Sequence, residues 1–189
     1  MAQTQWIAEL TQQNLPSINA YQWLTKPYIL SKALKRVSQS LTVNVLNQQF
    51  DAAIDDEYSI LKMSANELPF VRQVFLIGDN EVPLTYGRVI IPRATYDAHF
   101  PDFEKLGGKL IGETLLYNNP DVERDNFEYA CLSADDARCA FVYQHLPQLP
   151  LDPLWARRSV FHMKGMPLLV TELFLPFLPA YIPGNDNAI

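Results

Sequence analysis

Two pairs of strand-like segments meet at tight-turn sequences in this chain, and they limit its fold more than any other feature. Glu67 to Ile77 alternates with period two, passes through Gly78-Asp-Asn and resumes as Val82 to Ile91. Arg157 to Lys164 turns at Lys164-Gly165 and resumes as Pro167 to Phe174. Segments joined this way run antiparallel, because a parallel crossover needs a dozen residues or more. Further strands are expected over Leu41 to Leu46, Asn126 to Leu132 and Cys139 to His145.

Helical spacing occurs in two places, each interrupted. Residues 20 to 36 carry apolar positions at helical intervals on both sides of Pro27, which cannot occupy a helix interior, so two short helices with a turn between them are expected. Phe103 to Lys105 and Ile111 to Tyr117 flank Gly107-Gly108, a second helix-turn-helix. The class is therefore α+β with a mainly antiparallel sheet. The proline-rich Leu146-Pro-Gln-Leu-Pro-Leu-Asp-Pro reads as an extended surface connection. Strand-like sequence resumes after it, so residues 1–189 are expected to form one domain.

A content of 48% hydrophobic against 19% charged residues suits a globular core and excludes wholesale disorder. The net charge of −6 is the wrong sign for neutralising a phosphate backbone, so nucleic acid is not an expected partner. Cys131 and Cys139 lack the spacing of a zinc site or disulfide framework and are read as reduced thiols of a cytoplasmic protein. Met1-Ala-Gln-Thr-Gln-Trp has neither the basic nor the apolar region of a leader. The apolar stretch Met166 to Pro183 contains Glu172 and four prolines, so no stable membrane insertion is expected and the tail should pack onto the fold.

Alternation along Phe70 to Leu76 places Phe70, Arg72, Val74 and Leu76 on one face, so a guanidinium stands among apolar neighbours and requires an anion. The same arithmetic groups Leu168, Val170, Glu172 and Phe174, and burial there disfavours a charged carboxylate. Two readings are open. Arg72 and Glu172 either pair with each other or with other charges across the sheet, or both face one apolar cavity. In the cavity, Arg72 would hold a carboxylate through two parallel hydrogen bonds, and Glu172 would meet a hydroxyl or ether oxygen at the far side of a small ring-shaped acid.

Other candidates carry less. His99, His145 and His162 have no metal or nucleophile partner at recognisable spacing, and Ser31, Ser159 and Thr171 lack a nucleophile-elbow context. Gly107-Gly-Lys-Leu-Ile-Gly lacks the ending of a phosphate loop and reads as a turn. Of Arg157 and Arg158, adjacent on a strand, at least one is expected to be a solvated charge.

The run Leu154-Trp-Ala-Arg-Arg-Ser-Val-Phe-His-Met-Lys-Gly-Met-Pro-Leu-Leu-Val-Thr-Glu-Leu-Phe-Leu-Pro closely resembles the C-terminal signature of chorismate pyruvate-lyases, which open ubiquinone biosynthesis. Further matches are Val71-Arg-Gln-Val-Phe-Leu, Tyr86-Gly-Arg-Val-Ile-Ile-Pro, Lys105-Leu-Gly-Gly-Lys-Leu-Ile-Gly, and Trp23-Leu with Ile29-Leu-Ser-Lys, in order along nearly the whole chain. The resemblance implies an antiparallel sheet of about six strands whose ligand lies buried under two helix-turn-helix flaps. It implies elimination of pyruvate from chorismate to leave 4-hydroxybenzoate, without metal or organic cofactor.

Carried over by position, the resemblance makes Arg72 the ligand-binding arginine and Glu172 the acidic residue, the two also serving as the catalytic pair. Leu30 and Ile111 supply backbone amide contacts, and Gly87-Arg88 lies near the pocket. Its partners are then small molecules alone, with the chain expected to act as a monomer. Residues 133 to 153 have no counterpart in compact members. The alternative is a non-catalytic aromatic-acid sensor, since the fold is similar to the effector domain of certain transcription regulators; those carry a basic winged-helix domain, for which the residues before Trp23 are too few.

Overall fold

The computed structural model describes residues 4–15, 17–117 and 119–185; Met1 to Gln3, on which part of the leader expectation rested, lie outside them. Strands β1 (Thr42–Phe50), β2 (Phe70–Ile77) and β3 (Pro83–Ile91) form a meander. Strands β4 (Val122–Arg124) and β5 (Glu128–Leu132) follow, then the hairpin β6 (Leu154–Met163) and β7 (Met166–Phe174). The order is β1-β2-β3-β7-β6-β4, with β5 also on β6, and every pairing is antiparallel. The sheet has seven strands rather than six because one lane is split. β4 pairs with the distal part of β6 and β5 with the proximal part, so the sheet is six lanes wide.

Both expected hairpin turns form. Lys164 and Gly165 take positive φ (49° and 79°), the twisted geometry that a two-residue β-hairpin favours. Gly78 leads into a short turn at Asp79–Glu81.

One face of the sheet is covered from behind by helices that local periodicity had not indicated. Helix α3 (Asp55–Leu61) packs there beside Val71, Ile90 and Leu169. Helix α6 (Ala137–His145) occupies the segment expected as a strand. Its buried residues Arg138, Cys139, Val142 and Tyr143 fall at helical spacing, and the Asp136 side chain accepts a hydrogen bond from Arg138 N at its start. Packing against Phe75, Ala130 and Leu173 overrides the strand preference of its aromatic and β-branched residues.

The opposite face carries the two interrupted helical segments. Helices α1 (Ile18–Thr25) and α2 (Leu30–Val37) flank Pro27, with Ser17 Oγ capping α1 by accepting from Ala20 N. The second unit follows α4 (Arg93–Ala98) and α5 (Phe100–Glu104), turns at Gly107 and ends in one π-helical turn, Gly112–Leu116. The tail beyond β7 lies on α1: Trp23 Nε1 donates to Pro179 O at 2.9 Å and the Tyr181 ring stands edge-on at 5.1 Å. Among the described residues no helix is long and apolar enough to cross a membrane.

Candidate active site

Between the sheet and the two helical flaps lies a mainly apolar cavity with about 650 Å³ of atom-free space including its mouth. Its floor is ordered by strand register into rows. Arg72, Val89 and Val170 form the first, Val74, Gly87 and Glu172 the second, and Leu76, Thr85 and Phe174 the third. Arg72 and Glu172 thus lie two strands and one row apart, roughly 10 Å across and 7 Å along the sheet. That diagonal leaves room for a single ring between side chains reaching inward. Gly87, at the midpoint, contributes no side chain to the floor.

Arg72 is 2% exposed and, among the described residues, has no carboxylate partner. Its guanidinium donates to Gln48 Oε1 at 2.6 Å, Gly107 O at 2.7 Å and Lys109 O at 2.9 Å, all neutral acceptors. Burial pushes its pKa down to about 10, still well above neutrality. The site therefore holds a fixed, desolvated positive charge that only an incoming anion can compensate. Glu172 does not pair with Arg72. Its Oε2 accepts from Arg157 Nε at 2.6 Å, leaving the side chain 18% exposed on the cavity.

Arg157 corrects a sequence expectation. Neither it nor Arg158 is a solvated charge; they are 0% and 7% exposed. Arg157 stands opposite Glu172 in the β6–β7 ladder and faces the cavity side, while Arg158 stands opposite Thr171 and points behind the sheet to Asp56 and Glu128. The hairpin turn could have revealed this, since counting outward from Met163 and Met166 places Arg157 across from Glu172. Arg157 Nη1 also donates to Pro27 O at 2.6 Å and Leu24 O at 3.3 Å, so one guanidinium grips both Glu172 and the turn of the first flap.

Two more side chains hold that turn. Arg124 Nη1 donates to Tyr28 O at 3.2 Å while its guanidinium lies 3.7 Å from the centre of the Tyr28 ring. Tyr117, at the end of the second flap, donates its hydroxyl to the same carbonyl at 3.3 Å. Burial raises the Tyr117 pKa to about 12, which keeps the hydroxyl a donor at neutral pH.

Leu30 and Ile111 both line the cavity, one from each flap. Leu30 opens α2, where the first backbone N–H groups have no acceptor within the helix, and Ile29 before it supplies no side-chain cap. Ile111 immediately precedes the π-helical turn. The flaps are joined by an ion pair: Lys35 Nζ donates to both Glu113 oxygens at 2.7 and 2.8 Å. Burial works against the Glu113 carboxylate, yet hydrogen bonds from Lys35 and Ser31 prevail and hold its pKa below the usual value.

Arg88 points away from the cavity. Its Nε and Nη2 donate to Glu57 at 2.8 and 3.0 Å behind the sheet, so of the Gly87-Arg88 pair only the glycine touches the site. The three histidines do not line the cavity, and Cys131 and Cys139 are free.

In fold, the chain is similar to the ligand-binding domain of a GntR-family regulator from Bordetella bronchiseptica (TM-score 0.51, 12% identity, covering 78% of this chain and 90% of that one). It is also similar to the C-terminal domain of PhnF (TM-score 0.56, 15% identity, 72% and 84%). In sequence, it is 35% identical over 177 residues to a probable chorismate pyruvate-lyase of Pseudoalteromonas atlantica, covering 91% of this chain and 87% of that protein. A protein of the same description from Aromatoleum aromaticum is 36% identical over 156 residues, covering 82% and 83%. The family model described as chorismate lyase matches residues 1–181, a span that takes in the whole cavity, both flaps and the ladder joining Arg157 to Glu172, and the chain belongs to that family.

Proposed function

We propose that this cavity converts chorismate to 4-hydroxybenzoate and pyruvate. The observation that carries the reading is Arg72, a buried cation without an anionic partner among the described residues, set diagonally from Glu172 in a mainly apolar cavity of a chorismate lyase family member. The ring carboxylate pairs with Arg72 and takes further hydrogen bonds from the backbone amides of Leu30 and Ile111. Glu172, held by Arg157, accepts a hydrogen bond from the ring hydroxyl.

In the reaction the bond between the ring and the ether oxygen breaks, and the hydrogen on the carbon bearing the hydroxyl is lost. The ring becomes aromatic, and the released enolpyruvate gains a proton at its methylene carbon to become pyruvate. Aromatisation supplies much of the driving force. The protein contributes by holding a dianion in a reactive conformer away from water, with Glu172 placed to polarise the hydroxyl or relay the proton.

The reading includes a monomeric, cytoplasmic enzyme that works without metal or organic cofactor. Purified protein incubated with chorismate and a chelator should release 4-hydroxybenzoate and pyruvate in equal amounts, and light scattering should report one chain per particle. Arg72→Ala should lower kcat/KM by at least about a hundredfold, as expected when a charge-assisted pair is lost in a dry site. Glu172→Gln should lower kcat more than it weakens 4-hydroxybenzoate binding. Binding of 4-hydroxybenzoate with no turnover of chorismate would instead indicate a sensor.

A further inference from the structure

Three side-chain hydroxyls line the cavity, and two are engaged. Ser31 hydrogen-bonds Glu113, and Tyr117 donates to Tyr28 O. The third, Thr85, is 1% exposed, and among the described residues its Oγ1 has no hydrogen-bond partner. Leaving a buried hydroxyl unsatisfied costs free energy that a valine of the same shape would not incur. The other buried threonine without a partner, Thr171, stands opposite Arg88 and Arg158 behind the sheet, where no ligand reaches it.

Register says which part of a ligand Thr85 meets. Arg72 belongs to the first row, Gly87 and Glu172 to the second, and Thr85 to the third, about 7 Å further along the strands. A ring acid anchored on Arg72 and reaching Glu172 with its hydroxyl fills the first two rows. The third row, which Val43 of β1 extends opposite Leu76, lies beyond the ring. Substrate and product of the proposed reaction differ in one polar group, the enolpyruvyl arm beside the hydroxyl. That arm carries an ether oxygen and a carboxylate, both acceptors, and Thr85 is a donor lacking an acceptor.

We propose that Thr85 is a substrate-contacting residue that donates a hydrogen bond to the enolpyruvyl arm and so separates chorismate from 4-hydroxybenzoate. This rests on the lyase reading above. The contact forms with substrate and is lost when the arm departs, so it favours chorismate over a product that shares the same ring anchors.

The test compares Thr85→Val and Thr85→Ser with the unaltered full-length protein, measuring kcat and KM for chorismate and Kd for 4-hydroxybenzoate. Thr85→Val should lower kcat/KM by about tenfold or more, chiefly through KM, while Kd for 4-hydroxybenzoate stays within about twofold. Thr85→Ser should recover most of the loss. Ligand-free Thr85→Val should melt no lower than the unaltered protein, since it removes an unsatisfied group. If it fails to fold, the hydroxyl has a partner in the free protein and the proposal is overturned. An unchanged kcat/KM, or equal losses toward chorismate and 4-hydroxybenzoate, would overturn it while leaving the lyase reading intact. No product from the unaltered protein would overturn both.

Discussion

Arg72 and Arg157 are buried arginines on the same side of one sheet, yet they answer to different demands. Arg157 has a carboxylate and two carbonyls, whereas Arg72 has only neutral acceptors. Removing one partner of a buried ion pair strands the other, at about 3 to 5 kcal/mol. Arg157→Met should therefore cost the ligand-free protein about 3 kcal/mol, because Glu172 and the Leu24 and Pro27 carbonyls lose their donor. Arg72→Met also takes a donor from Gln48 and from the Gly107 and Lys109 carbonyls, but it strands no carboxylate and removes an uncompensated charge, so its cost should be smaller, about 1 to 2 kcal/mol. Adding 4-hydroxybenzoate should reverse the ranking of benefits. A ligand that binds only the folded state raises Tm, so the rise should vanish in Arg72→Met and survive, reduced, in Arg157→Met. Melting curves of both variants with and without 4-hydroxybenzoate would check this, and an equal loss of ligand-free stability would refute the distinction.

The flaps are short elements bound to each other by the Tyr117 hydroxyl and by a half-exposed ion pair, with Lys35 on α2 and Glu113 on the π-helical turn. Pairs of this exposure contribute about 0.2 to 1 kcal/mol and are screened by salt. Lys35→Gln should therefore speed 4-hydroxybenzoate release by no more than about fivefold, measured by competitor displacement in a stopped-flow instrument. High salt should speed release from the unaltered protein by a similar factor and leave Lys35→Gln unmoved. These flaps are legible in the sequence, since Pro27 and Gly107-Gly108 each interrupt a helical pattern. The strands carrying Arg72 and Glu172 were readable too, because one face meets the cavity and the other the packed helices, which enforces alternation. Helices α3 and α6 were not. Asp55-Asp56-Glu57 looks like a solvated run, but Asp56 and Glu57 are buried against arginines far away in sequence. In α6, the residues Cys139 to His145 favour strand locally and become helical through packing against the sheet. Register was the remaining gap: alternation assigns faces, but only the turn geometry pairs Arg157 with Glu172.

The molecule divides its polar groups by face. Among the described residues, the front holds an apolar cavity lined by the unpaired cation Arg72, while the back holds a set of paired charges. Glu57 receives Arg88, Asp56 receives Arg138, Arg158 and the Trp6 indole, and Asp136 receives Arg138 and Thr4. These bonds fasten α3, α6 and the N-terminal segment to β3, which presents Gly87, and to β6, whose Arg157 holds Glu172, so the floor of the site is braced from behind. The arrangement makes stability depend on carboxylates remaining ionised. For Asp136, burial opposes the charge, but the hydrogen bonds and attraction of Arg138 outweigh it and lower the pKa. A carboxylate with a lowered folded-state pKa contributes stability above its unfolded value of about 4, and that stability is lost as pH falls through the folded-state value. Tm should thus hold steady from pH 7 to about pH 5 and fall steeply below pH 4. Asp136→Asn tests the assignment, because asparagine still caps α6 but carries no charge to meet Arg138. It should cost about 2 kcal/mol at pH 7, roughly 4 to 8 °C in Tm for a chain of this size. The difference from the unaltered protein should shrink as pH falls below about 4 and through the lowered folded-state value, where Asp136 loses its charge as well. A gap that stayed constant across that range would place the effect in packing rather than in charge.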